Sequence, residues 1–175
     1  MPTVGVAVTL PEPWGSRLRG YRASLGDPQA SEVPSHITLV PPTEVDRPLE
    51  ELEEHLADAA GDVPGFEVHL RGTATFRPVS PVVYVDLALG TEGCARLADA
   101  VRRGPLDVDL AFPYHPHVTV AHHLDDATLD RAEVDLAQFD CRFAVTAFQL
   151  YVHEGDDGWR TAREFDLAVP ATAGG

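Results

Sequence analysis

The chain has 175 residues, 44% of them hydrophobic, and a formal net charge of −15 from 13 basic and 28 acidic side chains. That is enough apolar surface for one globular domain, or for two small lobes on a shared core. The charge repels a phosphate backbone, so a long RNA or DNA is excluded as the expected partner, while a small phosphate ester or a strand end can still be held by a few local groups.

Residues 1–8 alternate in the manner of a strand with no basic region ahead of them, so no signal peptide is expected. No apolar run approaches the roughly 20 residues that cross a bilayer, so a soluble, cytoplasmic protein without a membrane partner is expected. Cys94 and Cys141 lack the spacing of a disulfide framework or zinc site and read as buried free thiols.

In chain order, Val4, Val6, Val8 and Leu10 alternate as a first strand, and Trp14, Leu18, Tyr21 and Leu25 share one helical face. A polar loop over 26–34 leads to a short strand over 35–40, stopped by Pro41-Pro42. Leu49, Leu52, Leu56 and Ala59 stripe a second helix, and Gly61 to Gly65 breaks it. Phe66, Val68 and Leu70 alternate with Glu67, His69 and Arg71 as a half-buried strand, which turns at 78–81 into a return strand over 83–89. Cys94, Leu97, Ala98 and Val101 mark a third helix that ends near Gly104-Pro105. A second short strand covers 116–121, a fourth helix 126–138, and two long strands over 141–153 and 159–169 are joined by the turn 155–158. His55, His69 and His153 fall on polar faces and read as solvated, and the tail over 171–175 reads as loose.

The segments after His36 and His117 share an order, H-x-T strand, helix, then hairpin, which is an internal repeat. The expected fold is therefore α+β: two pseudo-symmetric lobes of antiparallel sheet with outer helices and a cleft between them, over residues 1–170.

Residues two apart on a strand share a face, so His36 with Thr38, and His117 with Thr119, each present an imidazole beside a hydroxyl, while Ile37, Leu39, Val118 and Val120 point into the core. Pseudo-symmetry sets these polar faces across the cleft. In-line displacement at phosphorus needs a base on the attacking oxygen and an acid on the leaving oxygen, on opposite sides, and two opposed imidazoles supply both. The threonine hydroxyls would donate to the non-bridging oxygens, and the scheme needs no metal or cofactor. One H-x-T means nothing by itself; two in matching contexts carry weight.

Ser35-His36-Ile37-Thr38-Leu39, the segment from Phe112 through His117 and Thr119 to Ala121, and the closing hairpin through Phe148, Gly158 and Phe165 resemble the two-histidine phosphoesterases, which include the bacterial 2′-5′ RNA ligases and cyclic phosphodiesterases. The resemblance spans most of the chain. It implies a catalytic pair, His36 and His117, phosphate-binding Thr38 and Thr119, and hydrolysis of a 2′,3′-cyclic phosphate or a similar small nucleotide or RNA-end phosphodiester, with ligation as the reverse reaction. Many relatives carry Arg where this chain has His122, and a basic residue where Tyr114-His115 stands; these positions, and the aromatic Tyr84, bear on substrate. Two other readings stay open: a phosphate-ligand binding protein without turnover, and a metal site in the run His115, His117, His122, His123, which has no Asp, Glu or Cys on its own strand.

Overall fold

The structure is a computed structural model that describes residues 1–170; the expected loose tail at 171–175 lies outside the described residues. The elements run β1 (Thr3–Thr9), α1 (Trp14–Ser24), β2 (His36–Glu44), α2 (Leu49–Asp62), β3 (Phe66–Thr75), β4 (Val82–Leu89), α3 (Thr91–Val101), β5 (Val118–His122), α4 (Asp126–Asp135), β6 (Asp140–Val145), β7 (Ala147–His153) and β8 (Trp159–Asp166). The hydrophobic periodicity explains most of them. Val4, Val6 and Val8 bury one face of β1, and Leu52, Leu56, Ala59 and Ala60 form the buried stripe of α2, as Cys94, Leu97, Ala98 and Val101 do in α3. Asp125 caps α4 by accepting from the Thr128 amide at 2.8 Å. Gly90 turns β4 into α3 at φ 105°, where a Cβ would lie 2.8 Å from the Glu67 carbonyl, so only glycine fits.

Two four-stranded antiparallel sheets result, ordered β2-β1-β7-β8 and β5-β4-β3-β6, with an α+β arrangement in two lobes as expected. A continuous core joins them: Ile37, Leu39 and Leu150 of the first sheet, Val85, Val118 and Leu70 of the second, and the inner faces of the helices belong to one packed cluster. Each sheet has its H-x-T segment at one edge, and the two edge strands β2 and β5 approach each other.

The repeat is present, but its hairpins are exchanged. The β3–β4 hairpin that follows β2 and α2 joins the sheet of β5, and the β7–β8 hairpin that follows β5 and α4 joins the sheet of β2. The single strand expected over 141–153 is two strands, parting at Thr146 and lying in different sheets, which is how the chain turns the corner from one sheet to the other. The apolar alternation changes phase at this point, from Cys141, Phe143 and Val145 to Phe148, Leu150 and Val152, and β7 is buried throughout from Phe148 to Val152. A second correction concerns Pro41-Pro42: β2 runs through them to Glu44. Its register with β1 slips twice, so extra residues bulge out of β2, and an edge strand tolerates prolines that donate nothing to the ladder. The segment at 116–121 forms a strand only from Val118, which leaves His117 just ahead of β5. The helix expected to 138 ends at Asp135, and the last strand ends at Asp166. His69 is buried rather than solvated, because interior strand β3 is covered at this point and Nε2 meets Asp140 Oδ1 at 2.9 Å. His55 uses Nε2 to donate to the Val101 carbonyl at 2.7 Å, tying α2 to the end of α3.

Candidate active site

Burial alternates along both motif strands. Ile37 and Leu39 are fully buried and alternate with half-buried His36 and Thr38, and Val118 and Val120 are fully buried on either side of half-buried Thr119. His36, Thr38, Thr119 and His122 line one cleft of about 310 Å³ between the lobes, together with Gly5, Ala7, Arg22, Gln29, Tyr151 and Trp159. His117 is not part of that lining. Its ring packs against Phe76 and Tyr84, with centroids 5.0 and 5.2 Å away, and lies close enough to His36 for their charges to oppose each other.

The two imidazoles are held in the same way. Nδ1 of His36 lies 2.7 Å from the Pro34 carbonyl, and Nδ1 of His117 lies 2.7 Å from the His115 carbonyl. A carbonyl only accepts, so both Nδ1 atoms carry hydrogen, and in the neutral ring the lone pair is on Nε2. The local fold causes this: each ring curls back two residues onto the backbone that leads into its strand. Burial is the main reason that both imidazoles sit below their ordinary value near 6.5. The charge of Arg22 lowers His36 further, whereas His115 and His36 lower His117 and Asp86 raises it.

The other candidates divide between the two sides. Tyr84 is buried, lies opposite Thr119 in the β4–β5 ladder, and stacks tilted on Phe76 at 4.4 Å, so it braces His117. His115 is half exposed, 5.5 Å from the Tyr84 ring, with Nε2 3.7 Å from Asp86. His122 lines the cleft and stacks on His123 at 3.8 Å; burial lowers its pKa, with the charges of His123 and Arg22 adding to the effect. Among the described residues no three His, Cys, Asp or Glu side chains are grouped to hold a metal ion. Cys94 and Cys141 are buried and free, and burial pushes the Cys94 thiol up to about 12 and the Cys141 thiol to about 11.

Arg22, Asp27, Phe76, Tyr151 and Trp159 escaped the sequence reading, and Tyr114, read there as a position bearing on substrate, makes a contact between the lobes. Arg22 reaches the cleft from α1, with its Nε 2.6 Å from the buried carboxylate of Asp27. Asp27 in turn accepts from the Gln29 amide at 2.9 Å. Tyr114 stitches the lobes together by donating its hydroxyl to the Thr38 carbonyl at 2.8 Å, and burial raises its pKa, so it remains a donor. Phe76 precedes the expected turn at 78–81 and carries no motif, and Tyr151 and Trp159 are strand aromatics with no signal to distinguish them from core. Only the pairing of distant strands brings these residues to the motifs.

With this geometry in view, comparison with known proteins identifies the class. The family model described as the 2′-5′ RNA ligase superfamily matches residues 10–157, and the chain belongs to this family of two-histidine phosphoesterases. A candidate phosphoesterase of Oceanobacillus iheyensis, OB1230, is 27% identical over 147 residues, covering 81% of this chain and 84% of that protein. The crystal structure of E. coli LigT in apo form superposes with a TM-score of 0.63 at 22% identity, covering 95% of this chain and 98% of LigT. LigT complexed with 3′-AMP superposes at 0.61, also at 22% identity, covering 95% and 99%. These last two likenesses establish the fold. No helix among the described residues is long and apolar enough to cross a membrane.

Proposed function

We propose that this protein is a phosphoesterase that opens a 2′,3′-cyclic phosphate, or a similar phosphodiester of a small nucleotide or RNA end, with His36 and His117 as its acid–base pair and residues 1–170 as one catalytic unit of the cytoplasm. The observation that carries this reading is the matched pair of Nδ1–carbonyl bonds, each 2.7 Å, which leaves Nε2 of both rings as the reactive nitrogen beside two adjoining edge strands.

In the reaction, one neutral imidazole takes a proton from water as the oxygen–phosphorus bond forms, and the other, protonated, gives its proton to the ribose oxygen as the phosphorus–oxygen bond breaks. The product is a ring-opened phosphomonoester. Thr38 and Thr119 donate to the non-bridging oxygens, and Arg22 adds positive charge at the cleft wall of an otherwise acidic protein. Burial favours two neutral rings, so the single negative charge of the incoming phosphodiester is what raises one of them to the protonated state that the reaction needs. Two imidazoles account for both proton transfers, so no metal has a required part in this scheme. The LigT structure with 3′-AMP supports a small nucleotide as the type of ligand.

The test is product analysis after incubation with the four nucleoside 2′,3′-cyclic monophosphates. A 2′- or 3′-monophosphate should accumulate with the wild type and be lost in the His36→Ala and His117→Ala variants. Turnover that persists unchanged in both variants would reject the assignment.

A further inference from the structure

The two sheets differ beside their threonines. Ala7 lies opposite Thr38 in the first sheet, whereas Tyr84 occupies the corresponding place opposite Thr119 in the second, with Phe76 against it. The space next to His117 is therefore filled by aromatic rings, and the space next to His36 is open, floored by Gly5 and Ala7.

That open floor is shaped for a flat group. Tyr151 lies opposite Gly5 in the β1–β7 ladder, yet its hydroxyl bonds to Oγ1 of Thr9, and Thr9 lies opposite His36. The buried phenol ring thus runs along β1 from the level of Gly5 towards the level of His36. Trp159 closes the far end: its indole crosses from β8 to within 3.7 Å of where a Cβ on Gly5 would stand, and it is itself propped edge-on by His153 at 5.2 Å. Gly5 to Thr9 is four residues, about 13 Å at strand rise, which is room for a sugar and a base laid end to end from the phosphate. The same cleft is also lined by Gln29, Glu32 and Ser35, polar groups that can meet the edge of a ring whose face rests on the floor.

We propose that Gly5, Tyr151 and Trp159 form a shelf that binds the nucleobase of the substrate on the His36 side of the cleft, a proposal that rests on the phosphoesterase reading above. A nucleobase satisfies both the aromatic floor and these polar groups, and stacking of this kind tolerates any base, because each has a π face. The shelf holds one nucleotide rather than a strand, in keeping with the net charge of −15.

The experiment uses the full chain and compares two esters, adenosine 2′,3′-cyclic phosphate and glycerol 1,2-cyclic phosphate, which lacks a base. The wild type should prefer the nucleoside ester, and Trp159→Ala should cut that preference roughly 5- to 150-fold, the range that loss of one stacked base spans. Trp159→Phe should retain most of the preference, and Gly5→Val, which puts bulk on the floor, should reduce it. An equal loss on both esters in Trp159→Ala and Gly5→Val would overturn the shelf, because a residue that only supports the fold does not distinguish the substrates. If the wild type turns over neither ester, the catalytic reading fails, and binding decides the shelf independently. In that case 3′-AMP should quench Trp159 emission saturably in a Trp14→Phe background while inorganic phosphate does not, and a Trp159 signal indifferent to 3′-AMP overturns it.

Discussion

The half of the molecule around His36 and the half around His117 have the same ground plan and different interiors. Each has an edge strand led by H-x-T, a neighbour strand joined to it through a helix, β1 through α1 and β4 through α3, and two further strands, β7–β8 in the first sheet and β3 with β6 in the second. Beside Thr38, however, the neighbour strand offers the methyl of Ala7, and beside Thr119 the ring of Tyr84. The charges differ as well. His36 has the Arg22 guanidinium near it, and His117 has the Asp86 carboxylate. The shared ground plan accounts for the paired imidazoles; the difference in flanking side chains turns a symmetric cleft into one with an open side and a braced side.

The largest expected effect tests what the halves share. His36→Ala and His117→Ala should each lower kcat/KM by roughly 10²–10⁴-fold with little change in thermal unfolding, the typical contribution of a positioned acid or base. A loss confined to one of the two variants would break the symmetry of roles.

Filling the open half tests what they do not share. Ala7→Tyr places on the first sheet the side chain that the second already has, and it points into the cleft rather than the core. It should raise KM for a nucleoside cyclic phosphate about tenfold or more while the protein stays folded; an unchanged KM would mean that substrate does not lie over this floor. Thr38→Val and Thr119→Val should be milder than the histidine variants and act on kcat more than on KM, since a hydroxyl aimed at developing charge stabilises the transition state selectively.

The pH dependence sharpens the electrostatic contrast. Because both imidazoles are held below 6.5, kcat/KM should trace a bell centred on the acid side of that value, with limbs that belong to the coupled pair. Removing the carboxylate in Asp86→Asn should move the bell further to acid, because Asp86 raises the His117 value. Stability follows the same shifts. The unfolded chain takes up protons on these histidines from about pH 6.5 downward, before the folded one does, so stability is intact above that pH and falls as the solution is acidified through the folded values. Melting temperature should drop from pH 7 to pH 5, and less steeply in His36→Gln. A flat profile in the wild type would contradict the burial of the rings. The smallest expected effect is none at all: activity should survive prolonged chelation, and a loss restored by zinc or manganese would transfer the chemistry to the histidine run from His115 to His123.

The sequence by itself determined a good deal. Alternation around His36 and His117 was legible because a strand reports its two faces at a period of two, and Ile37, Leu39, Val118 and Val120 are all buried as their spacing required. The α+β class and the antiparallel character followed from helical stripes and hairpin signals of the same local kind. What the tertiary structure alone decided depends on strands that are distant in sequence. The exchange of hairpins could not be read from the chain, because a change of phase such as that between Val145 and Phe148 marks a bulge within one sheet as readily as a change of sheet, and only the partners of β6 and β7 decide between them. The brace of Phe76 on His117, the Tyr114 bond to Thr38, and the approach of Arg22, Tyr151 and Trp159 to the cleft arise from pairings and packings that leave no periodic trace, since their register is set by the core as a whole and not by any segment within it.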